Sequence, residues 1–356
     1  MNLNQFLFNS LVRKPLSKIW ESAYRTRRSF YEYGIVKKEY FKVPIVSIGN
    51  ITFGGTGKTP MIIWLVNQIE EWGLKPVVLT RGYKGKLEHS SGIIFSGQKF
   101  LSNPTEYGDE PLLISKKMKS GAVIVGKNRT QNLKKYFSEV EPDIVLLDDG
   151  FQHIQLYRSL NIVVFDALLP LTSYQTAPMG YLREGLTALK DADVILISRS
   201  DQVSVEKINN LLKLLKPYYP KGIPVGTLSY KPVGVYDGYD QKVMDVEEFR
   251  GRKVIALTAI ASPESFYHLL EENGAEIISK AVFPDHHFFN HKDINELLAE
   301  CVKHDAVIVT SEKDMVKIRK ITKDPRIVFV NIAVHFLSGE DEVVAKIRKI
   351  LNLDYN

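Results

Sequence analysis

The strongest chemical signal in the chain lies between Ile45 and Pro60. It reads Ile45-Val-Ser-Ile-Gly-Asn-Ile-Thr-Phe-Gly-Gly-Thr-Gly-Lys-Thr-Pro60: an apolar run, a glycine-rich turn, then Gly57-Lys58-Thr59 opening a segment with helical apolar spacing. Glycines let successive backbone N–H groups converge on phosphate oxygens, and the N-terminus of the following helix adds partial positive charge. Thr52, Phe53, Gly54, Gly55, Thr56, Gly57, Lys58 and Thr59 are therefore the candidate phosphate cradle. Lys58 is placed to reach the β- and γ-phosphates and the Thr59 hydroxyl to bind Mg²⁺. Pro60 suits a first helical turn, where a missing N–H costs nothing. The match to G-x-x-x-x-G-K-[ST] is incomplete, because Thr52 stands at its first glycine; Gly54 and Gly55 supply freedom within the loop.

A kinase or NTPase built on such a loop needs carboxylates for the metal. Asp143-Ile-Val-Leu-Leu-Asp148-Asp149 is an apolar strand ending in two of them, and the carboxyl ends of strands face the crevice where open α/β sheets bind ligands. A phosphoryl transferase also needs a proton acceptor for the attacking hydroxyl. Asp109, in Gly108-Asp-Glu-Pro111, sits in a tight turn that would hold a carboxylate rigidly, but the same residues read equally well as a helix N-terminus. Asp285-His-His287 presents paired imidazoles, with no companion spacing for zinc. The one cysteine, Cys301, excludes both a disulfide framework and a cysteine-based zinc site.

The surrounding pattern is of the kind that positions such groups. Candidate strands at 43–48, 76–80, 122–125, 143–147, 161–165, 193–198 and 224–228 alternate with helices near 60–72, 128–139 and 203–216. A second alternation follows, with strands at 253–258, 275–282, 306–310 and 326–333 and helices near 263–273, 292–303 and 339–352. Continuous β-branched strands between helices indicate a P-loop NTPase-type parallel sheet covered by helices, with a second, smaller α/β domain. Residues 229–242 (YKPVGVYDGYDQKV) read as an interdomain linker between a nucleotide-binding domain at 43–228 and a C-terminal domain at 243–356. Residues 1–42 carry nine Lys/Arg against three Glu, which accounts for the whole net charge of +6. A nucleic-acid binder would spread its charge over a face of the fold, so no nucleic-acid partner is expected, and no obligate protein partner is evident. Residues 3–31 read as a helix, broken or kinked at Pro15, whose apolar stripe (Leu3, Phe6, Leu7, Leu11, Leu16, Ile19, Trp20) faces Arg13, Lys14, Lys18, Arg25, Arg27 and Arg28. That is the pattern of an interfacial helix. Its removal is expected to weaken lipid binding and leave ATP use untouched. No run of apolar residues is long enough to span a bilayer.

Asp148-Asp-Gly-Phe-Gln-His153, taken with Gly54-Gly-Thr-Gly-Lys-Thr-Pro60, closely resembles the tetraacyldisaccharide 4'-kinase family of lipid A biosynthesis. Thr80-Arg-Gly-Tyr83, Gly108-Asp-Glu-Pro111, Leu182-Arg-Glu184, Phe283-Pro-Asp-His-His287 and Ser311-Glu-Lys-Asp314 follow in the family's order, so the resemblance covers residues 43–320. It implies transfer of the ATP γ-phosphate, with Mg²⁺, to the 4'-hydroxyl of a tetraacyl disaccharide 1-phosphate at the cytoplasmic face of the inner membrane. It implies catalysis by Asp109, supported by His286 from the second domain once the two domains close about the linker. It also implies metal ligation by Glu184 beside Thr59, Asp148 and Asp149, and substrate contacts at Asn50, Arg81, Gln152, His153 and Arg183. Ala177-Pro-Met-Gly-Tyr181 departs from the family's Leu-Pro-x-Gly-Pro.

Two other P-loop classes compete. A membrane-cycling ATPase of the partitioning type carries a signature lysine where this loop has Phe53. A regulatory GTPase reads its base with N-K-x-D, whereas in Ser311-Glu-Lys-Asp314 the lysine adjoins the aspartate.

Overall fold

A computed structural model describes residues 9–97 and 103–353. In chain order the first elements are α1 (Lys14–Glu32), β1 (Ile45–Gly49), α2 (Lys58–Glu71), β2 (Pro76–Thr80), β3 (Gly92–Phe95), α3 (Pro104–Tyr107), α4 (Asp109–Lys117), β4 (Ala122–Val125) and α5 (Arg129–Val140). There follow β5 (Ile144–Asp148), β6 (Leu160–Asp166), β7 (Val194–Ser198), α6 (Val205–Leu215), β8 (Val225–Tyr236) and β9 (Lys242–Met244). The last are β10 (Lys253–Thr258), α7 (Pro263–Glu272), β11 (Glu276–Val282), α8 (His291–His304), β12 (Val307–Ser311), α9 (Glu312–Ile318), β13 (Ile327–Ser338) and α10 (Glu340–Ile350).

The chain forms two compact units. The first comprises Met1–Thr80, Leu133–Ser229 and Val334–Asn356; the second comprises Arg81–Asn132 and Tyr230–Ala333. In the first unit β1 is central and parallel to both neighbours, with Ile45 opposite Val145 of β5 and Val46 opposite Leu160 of β6. Beyond β5 lies β2, and beyond β6 lies β7, followed by Val225–Thr227 of β8, all parallel. Every residue of β1, β2, β5 and β7 is buried, which is why these strands are mostly apolar runs rather than alternating, with polar residues at Ser47 and at the carboxyl ends Thr80, Asp148 and Ser198. The chain leaves β1 toward one side of the sheet and later continues on the other. That makes the carboxyl ends of β1, β5 and β6 the natural ligand crevice. Helix α2 packs there through Met61, Ile62, Leu65, Val66 and Ile69, each stabilising by roughly 1.5–3 kcal/mol through burial.

The second unit has its own parallel strands in the order β11-β10-β12-β13. On one face Ile255, Leu257, Ile308 and Phe329 pack with Phe289, Ile294, Leu297 and Met315. On the other, Val254, Ala256, Val309 and Val328 pack with Phe249, Phe266, Tyr267 and Leu270. Antiparallel pairs β3/β4 and β8/β9 belong to this unit as well.

The anticipated parallel α/β architecture is present, but its division along the chain differs from the linear reading. Residues 81–132 group with 230–333, and 229–242 form the second half of β8 and its turn into β9 instead of a linker. The chain passes between units inside the twelve-residue strands β8 and β13. A boundary within a strand leaves no Gly/Pro-rich loop to mark it. Pro15 is in the first turn of α1, preceded by one π-type turn at Asn9–Arg13, so the expected break becomes a helix start. Leu3, Phe6 and Leu7 lie outside the described residues.

Candidate functional site

The glycine-rich loop leaves β1 and enters α2 in the first unit. Gly57 caps α2 at φ 78° and Gly54 sits at φ 95°, the left-handed conformations that favour glycine. Thr52 is not among the positive-φ residues. It bridges Leu182 instead, with Phe53 N–H donating to Tyr181 O at 2.7 Å and Arg183 N–H to Ile51 O at 2.7 Å. A residue held in extended pairing needs no glycine, which accounts for the departure from the consensus. Asn50, expected at the substrate, is instead fully buried. Its side-chain amide donates to the hydroxyls of Thr52 (3.1 Å) and Thr56 (3.2 Å), and Gln152 Nε2 donates to the Asn50 backbone carbonyl at 2.8 Å. Asn50 and Gln152 therefore brace the loop from behind.

Lys58 opens α2 with Nζ 3.3 Å from Asp149 Oδ1, and Arg183 Nη1 donates to Asp149 Oδ2 at 2.7 Å. Asp149 adopts φ 47°, turning its carboxylate between the two cations just past the end of β5. Asp148 is buried and accepts from Thr80 Oγ1 at 2.8 Å. Asp148, Asp149 and Thr59 thus offer hard oxygen donors at the strand and helix ends, a donor set suited to Mg²⁺, which takes one or two carboxylates and completes its shell with phosphate and water. Among the described residues no cluster of three or more His, Cys, Asp or Glu forms a metal cage.

Glu184 does not join that set. It is buried, with Oε2 2.6 Å from Arg28 Nε and Oε1 accepting from Arg28 Nη2 (2.9 Å) and Gln152 Nε2 (2.8 Å). Both oxygens are committed to a guanidinium and an amide, so the expected metal ligand is a structural anchor for α1. Trp20 Nε1 donates to Arg183 O at 2.7 Å, Ser17 Oγ to Thr176 O at 2.8 Å and Arg27 Nη1 to Gln152 O at 3.0 Å. Helix α1 therefore grips the segments that carry Arg183, Glu184 and Gln152. Leu16, Ile19 and Trp20 remain exposed by 40–65%.

In the second unit, Gly108 at φ 89° takes the cap position of α4, leaving the buried Asp109 carboxylate aimed at His286. His286 Nδ1 is 3.0 Å from both Asp109 oxygens, and Glu110 N–H also donates to Oδ1 at 2.9 Å. Both residues belong to this one unit, so the pair forms without the domain closure expected from linear order. The other ring nitrogen, Nε2, faces Lys313 Nζ at 3.2 Å. An ammonium has only donors, so Nε2 accepts and the ring proton lies on Nδ1, toward Asp109. Lys317 Nζ stands 3.6 Å from Asp109 Oδ2. Burial alone would raise the Asp109 pKa; the His286 hydrogen bond and the charges of Lys313 and Lys317 outweigh it and hold the value at about 2. Burial likewise works to lower Lys313, but Glu110, Asp109 and Asp285 prevail and raise it. His287 serves elsewhere: its Nε2 is 3.0 Å from Asp293 and its ring stacks on Phe283. Arg81 is half exposed and paired to Glu88 at 2.6 Å, while half-buried His153 lies 3.1 Å from Gln155 Nε2. Asp314 is fully buried and accepts from Ala259 N–H and Ser311 Oγ, so it cannot read a nucleotide base.

Sequence reasoning assigned no role to Lys313, Lys317, Ser198 or Arg199, and it counted Arg28 with the basic side of the interfacial helix, whereas the structure buries it against Glu184. Lys313 lay within the quoted Ser311-Glu-Lys-Asp314 motif, and Lys317 falls one helical turn later. Arg28 and Arg199 had no local signal, because their partners are 156 and 144 positions away.

The chain is similar to known proteins along most of its length. A tetraacyldisaccharide 4'-kinase of Desulfotalea psychrophila is 34% identical over 305 residues, covering 85% of this chain and 86% of that protein. One from Chlorobium phaeobacteroides is 30% identical over 353 residues, covering 96% and 98%. The crystal structure of an LpxK from Aquifex aeolicus in complex with ATP superposes with a TM-score of 0.76 at 23% identity, covering 97% of this chain and 99% of that one, a likeness of fold. The family model for tetraacyldisaccharide-1-P 4'-kinase matches residues 10–352, and the chain belongs to that family.

Proposed function

We propose that this protein transfers the γ-phosphoryl group of ATP to the 4'-hydroxyl of a tetraacyl disaccharide 1-phosphate in lipid A biosynthesis. The observation that carries this reading is that the family match spans residues 10–352, and so includes both the phosphate loop and the buried Asp109–His286 pair. A partitioning-type ATPase has no need of a proton acceptor for a sugar hydroxyl, and its signature lysine is replaced here by Phe53.

Gly54–Thr59 cradle the phosphates, with Lys58 neutralising charge on the transferring group. Thr59, Asp148 and Asp149 would hold Mg²⁺, which would help neutralise the charge of the phosphates. Arg81, His153 and Arg183 are the proposed contacts to the disaccharide phosphate and sugar. In the reaction the hydroxyl oxygen bonds to the γ-phosphorus, the bond from that phosphorus to ADP breaks, and the hydroxyl proton passes to the Asp109 carboxylate. A carboxylate whose pKa is held at about 2 is a weak base, which suits a loose transition state. The proton leaves late, once the new P–O bond has made the hydroxyl acidic. His286, with its proton on Nδ1, orients that carboxylate.

The protein acts as a peripheral enzyme on the cytoplasmic face of the inner membrane. No described helix is long and apolar enough to cross a membrane. The exposed Leu16, Ile19 and Trp20 of α1 lie among Arg13, Lys14, Lys18 and Arg25, as an interfacial helix requires. Incubation with ATP, Mg²⁺ and tetraacyl disaccharide 1-phosphate should yield a lipid heavier by one phosphoryl group, with one ADP per product. ATP consumption without phosphorylated lipid would instead favour the ATPase.

A further inference from the structure

Ser198 and Arg199, where β7 ends, hold two consecutive peptide groups of the glycine-rich loop. Arg199 Nη2 donates to the Gly55 carbonyl at 2.6 Å, and Ser198 Oγ lies 3.0 Å from the Thr56 carbonyl and 3.1 Å from that of Phe165. The same guanidinium is locked to Asp166 at the end of β6, with Nε donating to Oδ1 at 3.1 Å and Nη2 2.9 Å from Oδ2. Only 6% of the Arg199 side chain is exposed. Its backbone is left-handed, φ 56° and ψ 33°, a conformation disfavoured for a residue with a Cβ and retained where the surroundings impose it.

A trans peptide is planar, so its carbonyl and N–H point in opposite directions. Drawing the Gly55 carbonyl toward Arg199 turns the Thr56 N–H to the other side. Drawing the Thr56 carbonyl toward Ser198 does the same for the Gly57 N–H. Successive amides turned one way are what an anion-binding concavity consists of. A loop containing Gly54, Gly55 and Gly57 has many competing conformations, and glycine loses more freedom on ordering than any other residue. Tying two of its carbonyls to the buried ends of β6 and β7 removes much of that cost before a phosphate arrives. Because Asp166 neutralises the guanidinium, Arg199 acts here as a shaped donor and not as a free cation for phosphate.

We propose that Arg199, assisted by Ser198, is a positioning residue for ATP that preorganises the phosphate cradle. The inference rests on reading Gly54–Thr59 as that cradle. The test compares Arg199→Gly, Arg199→Lys and Lys58→Ala with the unaltered chain. Glycine relieves the left-handed backbone, so the fold should survive loss of the guanidinium, and thermal unfolding checks that it does. For Arg199→Gly, KM for ATP should rise roughly 10- to 100-fold, the scale of one lost charge-assisted hydrogen bond, with KM for the lipid acceptor unchanged. Affinity for inorganic tripolyphosphate, measured calorimetrically, should fall by the same factor, since the clamp acts on the cradle and not on the base. Arg199→Lys should lie between, because a single ammonium cannot engage both Asp166 oxygens and the Gly55 carbonyl. A folded Arg199→Gly protein with ordinary KM for ATP, or one losing only kcat as a partly inactive population would, overturns the clamp. So does weakened ATP with unchanged tripolyphosphate binding. If Lys58→Ala binds both ligands normally, the cradle reading itself has failed, and the two failures are thereby separable.

Discussion

Asp109 is buried beside His286, Lys313 and Lys317, and that environment makes its behaviour predictable. An unfolded aspartate titrates near about 4, whereas the folded Asp109 value is about 2. The depressed value means that its contribution to stability is fully present above about pH 4 and is lost as the pH falls toward 2. The shift corresponds to about 2 kcal/mol at neutral pH for this buried group. Denaturant unfolding of the unaltered chain and Asp109→Asn should therefore show an excess stability that shrinks between about pH 5 and pH 2. A pH-independent gap would show that the His286 and lysine contacts do not set the titration. In catalysis Asp109 and His286 should act as a unit, the double alanine variant being little slower than the poorer single one. Multiplicative losses with unchanged ATP binding would separate them. For Lys58→Ala, the charge on the transferring phosphoryl is left without its main protein counter-charge, so kcat should drop by about two orders of magnitude or more in a folded protein. The phosphate loop and the Asp148–Asp149 pair were legible from sequence because each is recognised by its local spacing. The lysine contacts around Asp109 and Glu110 were not, since Lys313 lies 203 positions from Glu110.

Helix α1 has two faces with separate tasks, and the structure changes what its removal should do. The sequence suggested a detachable foot. Arg28 and Glu184, buried at 6% and 2% exposure, instead tie it to the Arg183–Glu184 segment. Deleting residues 1–30 would strand the Glu184 carboxylate in the core, so the earlier expectation of unchanged ATP use gives way to loss of stability together with activity. Arg28→Ala alone should cost about 3–5 kcal/mol in unfolding experiments, the scale for one partner of a buried ion pair. The lipid-facing side is addressed without that damage by Ile19→Glu with Leu16→Glu. Binding to anionic vesicles should weaken and KM for the lipid acceptor should rise, while unfolding and KM for ATP stay as before. Equal vesicle binding by the double variant would remove α1 from the membrane contact. Amphipathic spacing revealed that this helix exists and which residues are apolar. Only the packing of Ser17 and Arg28 showed that its other face is part of the core.

At the scale of the molecule, both units are assembled from segments distant in sequence, and this governs how the chain can be cut. Residues 81–132 complete their hydrophobic and ionic contacts with 230–333, as in Asp109 with His286 and Lys116 with Asp240. A fragment ending at residue 228 should therefore leave 81–132 without a fold and be cleaved there rapidly by protease; a fully resistant fragment would mean that this segment folds without its partner. The strand–helix alternation, the phosphate loop and the paired carboxylates at the end of β5 were determined by sequence alone, because periodicity and glycine placement act over a few residues. Tertiary structure decided the rest: that the boundary runs through β8 and β13, that His286 and not His287 meets Asp109, and that Glu184 holds a helix instead of a metal. It also decided that Arg199 reaches Gly55. Each of these depends on which side chains the strands and their covering helices bring within about 3 Å, and separation along the chain places no limit on that.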